Sequence, residues 1–359
     1  MHSSSQRDEN VQILRFIAAG LVLITHISFY YHDRLDSTAA IWDPGVAGVS
    51  LFFVISGFVM HVSSARIPRD GAGASYFLRR RIARIVPMYW LITTAKILIV
   101  LGLPGVMVHH HPTLRYALAS YALIPTMDAD GLVRPIHGVG WTLYHEMYFY
   151  YLFALALLLR RSPLAFCGAI IGGAFAVGLF VPPESAIGRT VCNQINLLFV
   201  AGVLLGHMLD RNLRLPRAAA VIALCVGGAA LLTVHDFAGM RAVVWRDFGA
   251  VSCVFACASL VGLSFPFRQT FVRLGDSSYS LYLIHPLLAP AICVALWKAH
   301  AGWEPLLMVV TFTVTVIAGQ YTYRFIEDPM NRLARNLLLP RRSAPAPSRS
   351  PQLAAPASR

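Results

Sequence analysis

The chain has 359 residues, 57% of them hydrophobic and only 13% charged, with a formal net charge of +13 at pH 7 and a mean hydropathy of +0.60. Soluble domains carry close to a quarter charged residues, so this composition excludes a soluble globular protein and predicts an all-α, polytopic transmembrane helical bundle. A basic balance also suits nucleic acid, but in a membrane chain basic residues set topology first, and no nucleic-acid partner is expected.

A polar N-terminal segment, 1–13, precedes the first apolar run, Leu14–Tyr31. No small-residue cleavage site follows that run, so it is expected to stay as a span rather than leave as a signal peptide. It carries Arg15 and, eleven positions later, His26, with nothing else ionisable between them. On a helix that offset is roughly 16 Å, which places Arg15 at a membrane face and His26 near the midplane. A titratable group at that depth is costly and marks a functional site by default; the plainer reading is a histidine bonded to a neighbouring helix.

Further candidate spans are Val46–Ser64, Ile85–Leu103, Trp141–Leu159, Pro163–Pro182, Thr190–Met208, Ala218–His235, Asp247–Phe265, Ser277–Trp297 and Pro305–Tyr323. Each approaches the length that crosses a hydrocarbon core. The apolar stretch Thr113–Met127 is shorter and contains Pro125, and is read as re-entrant or interfacial. Ten spans with both termini cytoplasmic put 22 of the 30 basic residues on the inner side, as the positive-inside rule requires. Counting Thr113–Met127 as a crossing would turn the later arginine clusters outward. The tail, 334–359, is rich in Pro, Ala, Ser and Arg towards its end and is expected to be disordered. No fused soluble domain and no internal repeat is expected.

Of the seventeen Asp and Glu residues, Glu146 in WTLYHEMYFYY reads as the one well inside a span. An unpaired carboxylate there requires a partner. His145 points about 100° away on the helix, so His26 is the better candidate across the bundle. The run Phe77–Pro87 places Arg81 and Arg84 three apart on one helix face. Guanidinium groups on one face suit phosphate, although anchoring to anionic lipid explains most such clusters. Gly57 in LFFVISGFVM is read as a close helix contact. The six cysteines lie in or beside apolar runs without metal spacing, and the triplet His109–His111 lacks ligand spacing, so no metal site is expected. P-loop and dinucleotide fingerprints are absent.

Six stretches, in order, resemble acyltransferase family 3, the integral membrane acyltransferases. They are LRFIAAGLVLITH, FFVISGF, FLRRRIARIVPMYW, WTLYHEMYFYY, LGDSSYSLYLIHP and RFIEDPMNR, covering residues 14 to about 333. The resemblance implies one transmembrane acyltransferase domain over 14–333, ten helices, and transfer of an acetyl group from acetyl-CoA to a glycan hydroxyl. It makes His26 essential and pairs Arg81 with Arg84. On this reading His26 and Glu146 are catalytic, and Arg15, Arg81 and Arg84 hold acyl-CoA arriving from the cytoplasm. Trp141, Tyr282 and His285 are expected to meet the acceptor, a cell-surface or lipid-linked glycan. Outer loops holding Asp33, Asp36, Trp42 and Asp43, and Asp128, Asp130, His137 and Trp141, have sugar-binding residue types that are equally ordinary at membrane interfaces. Acetyl-CoA is a co-substrate and no resident cofactor is implied. The bacterial inner membrane, with its lipids, is the expected location. A different class stays open: a proton-coupled transporter or flippase of a glycan precursor, with His26 and Glu146 as the relay.

Overall fold

A computed structural model describes residues 2–102, 113–233, 240–260, 264–299 and 303–339. The triplet His109–His111 and the tail from Pro340 lie outside the described residues. The described chain is helical throughout, and its lone β feature is an antiparallel bridge between Met127 and Val133.

Eight of the described helical stretches are long and apolar enough to cross a membrane. They contain α1 (His2–Arg34), α2 (Ala47–Ser64), α3 (Gly71–Gly102), α6 (Pro163–Phe180), α7 (Ala186–Val191) with α8 (Asn196–Asp210), α10 (Met240–Ser259), α12 (Ser278–Lys298) and α13 (Glu304–Thr322). The other two expected spans form as helices but differ from the rest. Helix α5 (Trp141–Leu158) has the length, yet its tyrosines, histidine and glutamate lower its apolarity; of these Tyr144, His145 and Tyr150 are buried in the bundle. Helix α9 (Arg217–Thr233) has 17 residues. The stretch Thr113–Met127 yields only α4 (Leu114–Tyr121), capped by the Thr113 hydroxyl, which is too short to cross.

Helix α3 begins at Gly71, well before the predicted Ile85, and α10 runs Met240–Ser259 against Asp247–Phe265 in the sequence reading; two other departures have a visible physical reason. The polar segment 1–13 does not precede α1 but belongs to it. Its Asn10 is buried and donates to the Cys257 and Leu260 carbonyls at 3.1 and 2.7 Å, and Glu9 pairs with Arg268 of α11 (Arg268–Asp276). The predicted span Thr190–Met208 is broken between α7 and α8, where the Asn193 carboxamide oxygen accepts from the Ile195 N–H at 3.0 Å. An Asx-type bond of this kind competes with the helical ladder.

Helix α1 is the hub, packing on α2, α10, α11, α12 and α13, while α2 lies along α8. The α2–α8 contact depends on glycine. A Cβ at Gly57 would sit 2.0 Å from the Phe199 carbonyl oxygen, and one at Gly202 would sit 2.1 Å from that of Val54. Gly57 is therefore a packing residue, as read from the sequence. Beside it Phe149 stacks on Phe199 with centroids 4.7 Å apart. At the far end α13 runs through a π-helical stretch, Tyr323–Glu327, into α14 (Asp328–Leu338), which packs on α3.

Candidate active site

Helices α1, α2, α3, α5, α8 and α12 enclose a cavity of about 810 Å³, counting its open mouth. Its walls follow helical periodicity. On α5 the residues Thr142, Leu143, Glu146 and Tyr150 line it, and on α2 Val49, Phe52, Phe53, Ser56 and Val59 do; spacings of three and four keep each set on one face. His145 points elsewhere, its Nδ1 2.9 Å from the Asn196 carboxamide oxygen.

Arg15, Arg81 and Arg84 all line this cavity. Arg15 donates to the Gln12 side chain at 3.2 Å, and Gln12 in turn donates to Asp276 at 2.7 Å. Arg81 is buried, donates to the Ser63 hydroxyl, and lies over the Phe77 and Tyr150 rings at 5.4 and 5.6 Å. Its Nε has no partner. Among the described residues none of the three guanidinium groups forms an ion pair with a carboxylate. Three guanidinium groups share the cavity with a single lining carboxylate, Glu146, an excess of positive charge whose chemistry suits an anion.

Glu146 sits in the same wall. Its Oε1 accepts from the Ser56 hydroxyl at 3.0 Å and from the Tyr150 hydroxyl. The carboxylate therefore finds its partners on α2 and on its own helix one turn on, and the hydrogen bond to His26 anticipated from the sequence is not made. A bundle helix offers hydroxyls closer to hand.

His26 and His285 lie outside the cavity lining. The His26 Nδ1 is 2.9 Å from the Val22 carbonyl oxygen, and its ring packs edge-on against His285 with centroids 4.8 Å apart. A carbonyl only accepts, so Nδ1 carries the proton and Nε2 keeps its lone pair. His285 is buried, with Nδ1 3.3 Å from the Leu281 carbonyl oxygen and Nε2 without a partner. Tyr282 joins the two regions. It lines the cavity, its ring is 5.8 Å from that of His285, and its hydroxyl donates to the Val139 carbonyl at 3.0 Å beside the Thr142 hydroxyl at 3.2 Å. Trp141, at the start of α5, packs edge-on against His145 at 5.6 Å and is not in the cavity wall.

Sequence reasoning missed Glu327. It is buried more completely than Glu146 and accepts from the Ser280 hydroxyl at 2.5 Å. The π-helical stretch that ends on it carries it against α12, and such stretches recur at functional sites. The available signal was weak: a carboxylate just past the apolar run, in RFIEDPMNR, whose neighbours Phe325 and Ile326 are themselves exposed. Tyr279, also in the cavity wall, was missed too; it donates to the Ile85 carbonyl at 2.9 Å.

Two of the loop carboxylates, Asp128 and Asp36, bond within their own loops. Asp128 pairs with Arg134 and accepts from the Asp130 and Leu132 N–H groups, while Asp36 accepts from the N–H and hydroxyl of Thr38. Those bonds hold the Asp36 carboxyl below its ordinary range. Among the described residues no group of three His, Cys, Asp or Glu side chains is placed to hold a metal ion.

Comparison with known proteins agrees with this geometry. Residues 8–324 match the acyltransferase domain family. The chain is 32% identical to the exopolysaccharide production protein ExoZ of Rhizobium meliloti (strain 1021), over 81% of this chain and 91% of that protein. It is 27% identical to the acyltransferase MdmB of Streptomyces mycarofaciens, over 89% and 90%, and 26% identical to nodulation protein 10 of Rhizobium leguminosarum bv. viciae, over 95% and 98%. No solved structure matches. A polytopic helical bundle whose family match spans nearly all of it is an integral membrane protein, and the chain belongs to acyltransferase family 3.

Proposed function

We propose that this protein transfers an acetyl group from acetyl-CoA, entering from the cytoplasm, to a hydroxyl of a cell-surface or lipid-linked glycan, in the bacterial inner membrane with both termini cytoplasmic. The observation that carries the reading is the set of three cavity arginines without carboxylate partners. CoA brings phosphates to match guanidinium forks, and the basic exposed Arg79 and Arg80 just outside suit a cytoplasmic mouth. The names of ExoZ and nodulation protein 10 connect those relatives with exopolysaccharide and nodulation, which supports a glycan acceptor.

In the reaction the phosphates lie on Arg15, Arg81 and Arg84, and the pantetheine arm runs along α5 towards Tyr282. Glu146 has Oε2 unused by protein groups and accepts from an amide N–H of that arm, so it acts on the donor. His26 Nε2 takes the proton of the acceptor hydroxyl as its oxygen attacks the thioester carbonyl. The C–S bond breaks, the CoA sulfur leaves with the electron pair, and the imidazolium returns the proton to it. An acyl-imidazole on His26 is the two-step form of the same transfer. Trp141 lies away from this path, next to His145, and Tyr282 and His285 stand between the donor cavity and His26.

The test is labelled acetyl-CoA added to membranes containing the wild type or His26→Ala, with label followed into glycan. Label from the wild type alone, at equal protein levels, is expected; equal labelling by the variant removes His26 from the chemistry.

A further inference from the structure

His137 lies in the connection between α4 and α5, where sequence favours an exposed loop, yet it is 1% exposed. The segment is drawn into the bundle by the Ile136 N–H donating to the Ser120 hydroxyl at 3.0 Å and by the Tyr116 hydroxyl donating to the Arg134 carbonyl at 2.8 Å. From the other side, Tyr282 of α12 bonds to Val139. The His137 imidazole rests against the Leu283 carbonyl, and His285 lies within electrostatic range of both His137 and His26.

His26 and His285 thus pack together beyond Tyr282, with His137 within electrostatic range of His285. Two of them share a peculiarity: His137 Nε2 and His285 Nε2 are both buried and both lack a hydrogen-bond partner. Native interiors satisfy nearly all buried polar atoms, and a ligand that supplies the partner is one of the explanations for an exception. Among the described residues no three His, Cys, Asp or Glu side chains there are placed to hold a metal ion. Burial, reinforced by Lys96, pushes the His137 imidazole down to about 4, so it is neutral at physiological pH. A neutral imidazole has one ring nitrogen free to accept, and in His285, whose Nδ1 lies on the Leu281 carbonyl, that acceptor is Nε2, the complement of an alcohol O–H.

We propose that His137, together with His285, forms the acceptor subsite: each Nε2 receives a hydrogen bond from a hydroxyl of a pyranose ring, which presents a neighbouring hydroxyl to His26. The inference rests on the acyl-transfer reading above. It makes the substrate a sugar with adjacent free hydroxyls and gives His137 a binding role, with no part in donor capture.

The experiment uses the purified full chain in lipid nanodiscs, labelled acetyl-CoA, and methyl β-glucoside as the acceptor probe. Two readouts are taken: acetyl transfer against probe concentration, and acetyl-CoA hydrolysis without acceptor. His137→Asn is too short to reach the Nε2 position, whereas His137→Gln reaches it. The expected result for His137→Asn is an acceptor KM raised by about tenfold, the loss of one good hydrogen bond, with the acetyl-CoA KM and the hydrolysis rate unchanged. His137→Gln should recover most of the loss. An unchanged acceptor KM in His137→Asn overturns the inference, as does a parallel rise in the acetyl-CoA KM or wild-type failure to acetylate the probe while hydrolysing acetyl-CoA. Failure of the acyl-transfer reading looks different: the wild type neither hydrolyses acetyl-CoA nor labels glycan in whole membranes.

Discussion

Arg84→Ala separates a donor site from a structural arginine cluster. The Arg84 side chain lines the cavity, and among the described residues its guanidinium makes no protein hydrogen bond or ion pair. Arg81, by contrast, holds Ser63 and two aromatic rings, so its loss would mix binding with folding. Removing Arg84 breaks no hydrogen bond; it relieves repulsion with Arg15 and takes away an attraction to Glu327, two effects of opposite sign. A charge-assisted hydrogen bond to phosphate contributes about 1.5–3 kcal/mol, so the acetyl-CoA KM should rise roughly 10- to 150-fold. Because the contact is remote from the thioester and made in ground and transition states alike, kcat should change less than about threefold. The assay compares acetyl-CoA with S-acetyl-pantetheine, which lacks the nucleotide phosphates, as donors in the same nanodiscs. Wild type and variant should differ with the first and converge with the second. A KM unchanged for acetyl-CoA, or a loss equally large with S-acetyl-pantetheine, refutes the assignment of the arginines to phosphate.

Two further outcomes follow from the hydrogen-bond pattern. Glu146→Gln keeps an oxygen able to accept from Ser56 and Tyr150, so Tm should hold while kcat/KM for acetyl-CoA falls by about 5- to 30-fold, the loss of one acceptor contact of about 1–2 kcal/mol; a loss beyond about 1,000-fold would place Glu146 in the proton transfer itself. His137 titrates near 4 in the fold against 6.5 when unfolded, because burial and then Lys96 disfavour its charged form. The unfolded chain therefore binds the proton first, and stability falls as pH drops from 6.5 towards 4, by on the order of 3 kcal/mol in full. Tm measured across that range should fall more steeply for the wild type than for His137→Asn; identical slopes refute the burial argument.

Much of the architecture follows from one-dimensional patterns. Runs of apolar residues near the length of a bilayer force helices, because nothing else satisfies the backbone in lipid. All ten predicted spans fall on helical stretches, one of them broken between α7 and α8, and Thr113–Met127 forms only the short α4. The face shared by Arg81 and Arg84, the divergence of His145 from Glu146 and the packing role of Gly57 are likewise set by the 3.6-residue period, and the structure keeps all three. Partnerships between helices carry no such period. Whether Glu146 meets His26 or Ser56 depends on which helix lies beside α5, and a hydroxyl on α2 is the nearer donor. Glu327 was hidden because a π-helical stretch carries the last span past its apparent polar end. His137 was hidden because loop sequence looks alike whether exposed or folded inward, and here hydrogen bonds to Ser120 and Tyr282 draw it in. The sequence by itself determined a membrane bundle and the faces its helices present. Only the packing of six helices decided that three arginines share one cavity while His26 and His285 pack together beyond Tyr282, since such distances are fixed by contacts between residues far apart in the chain.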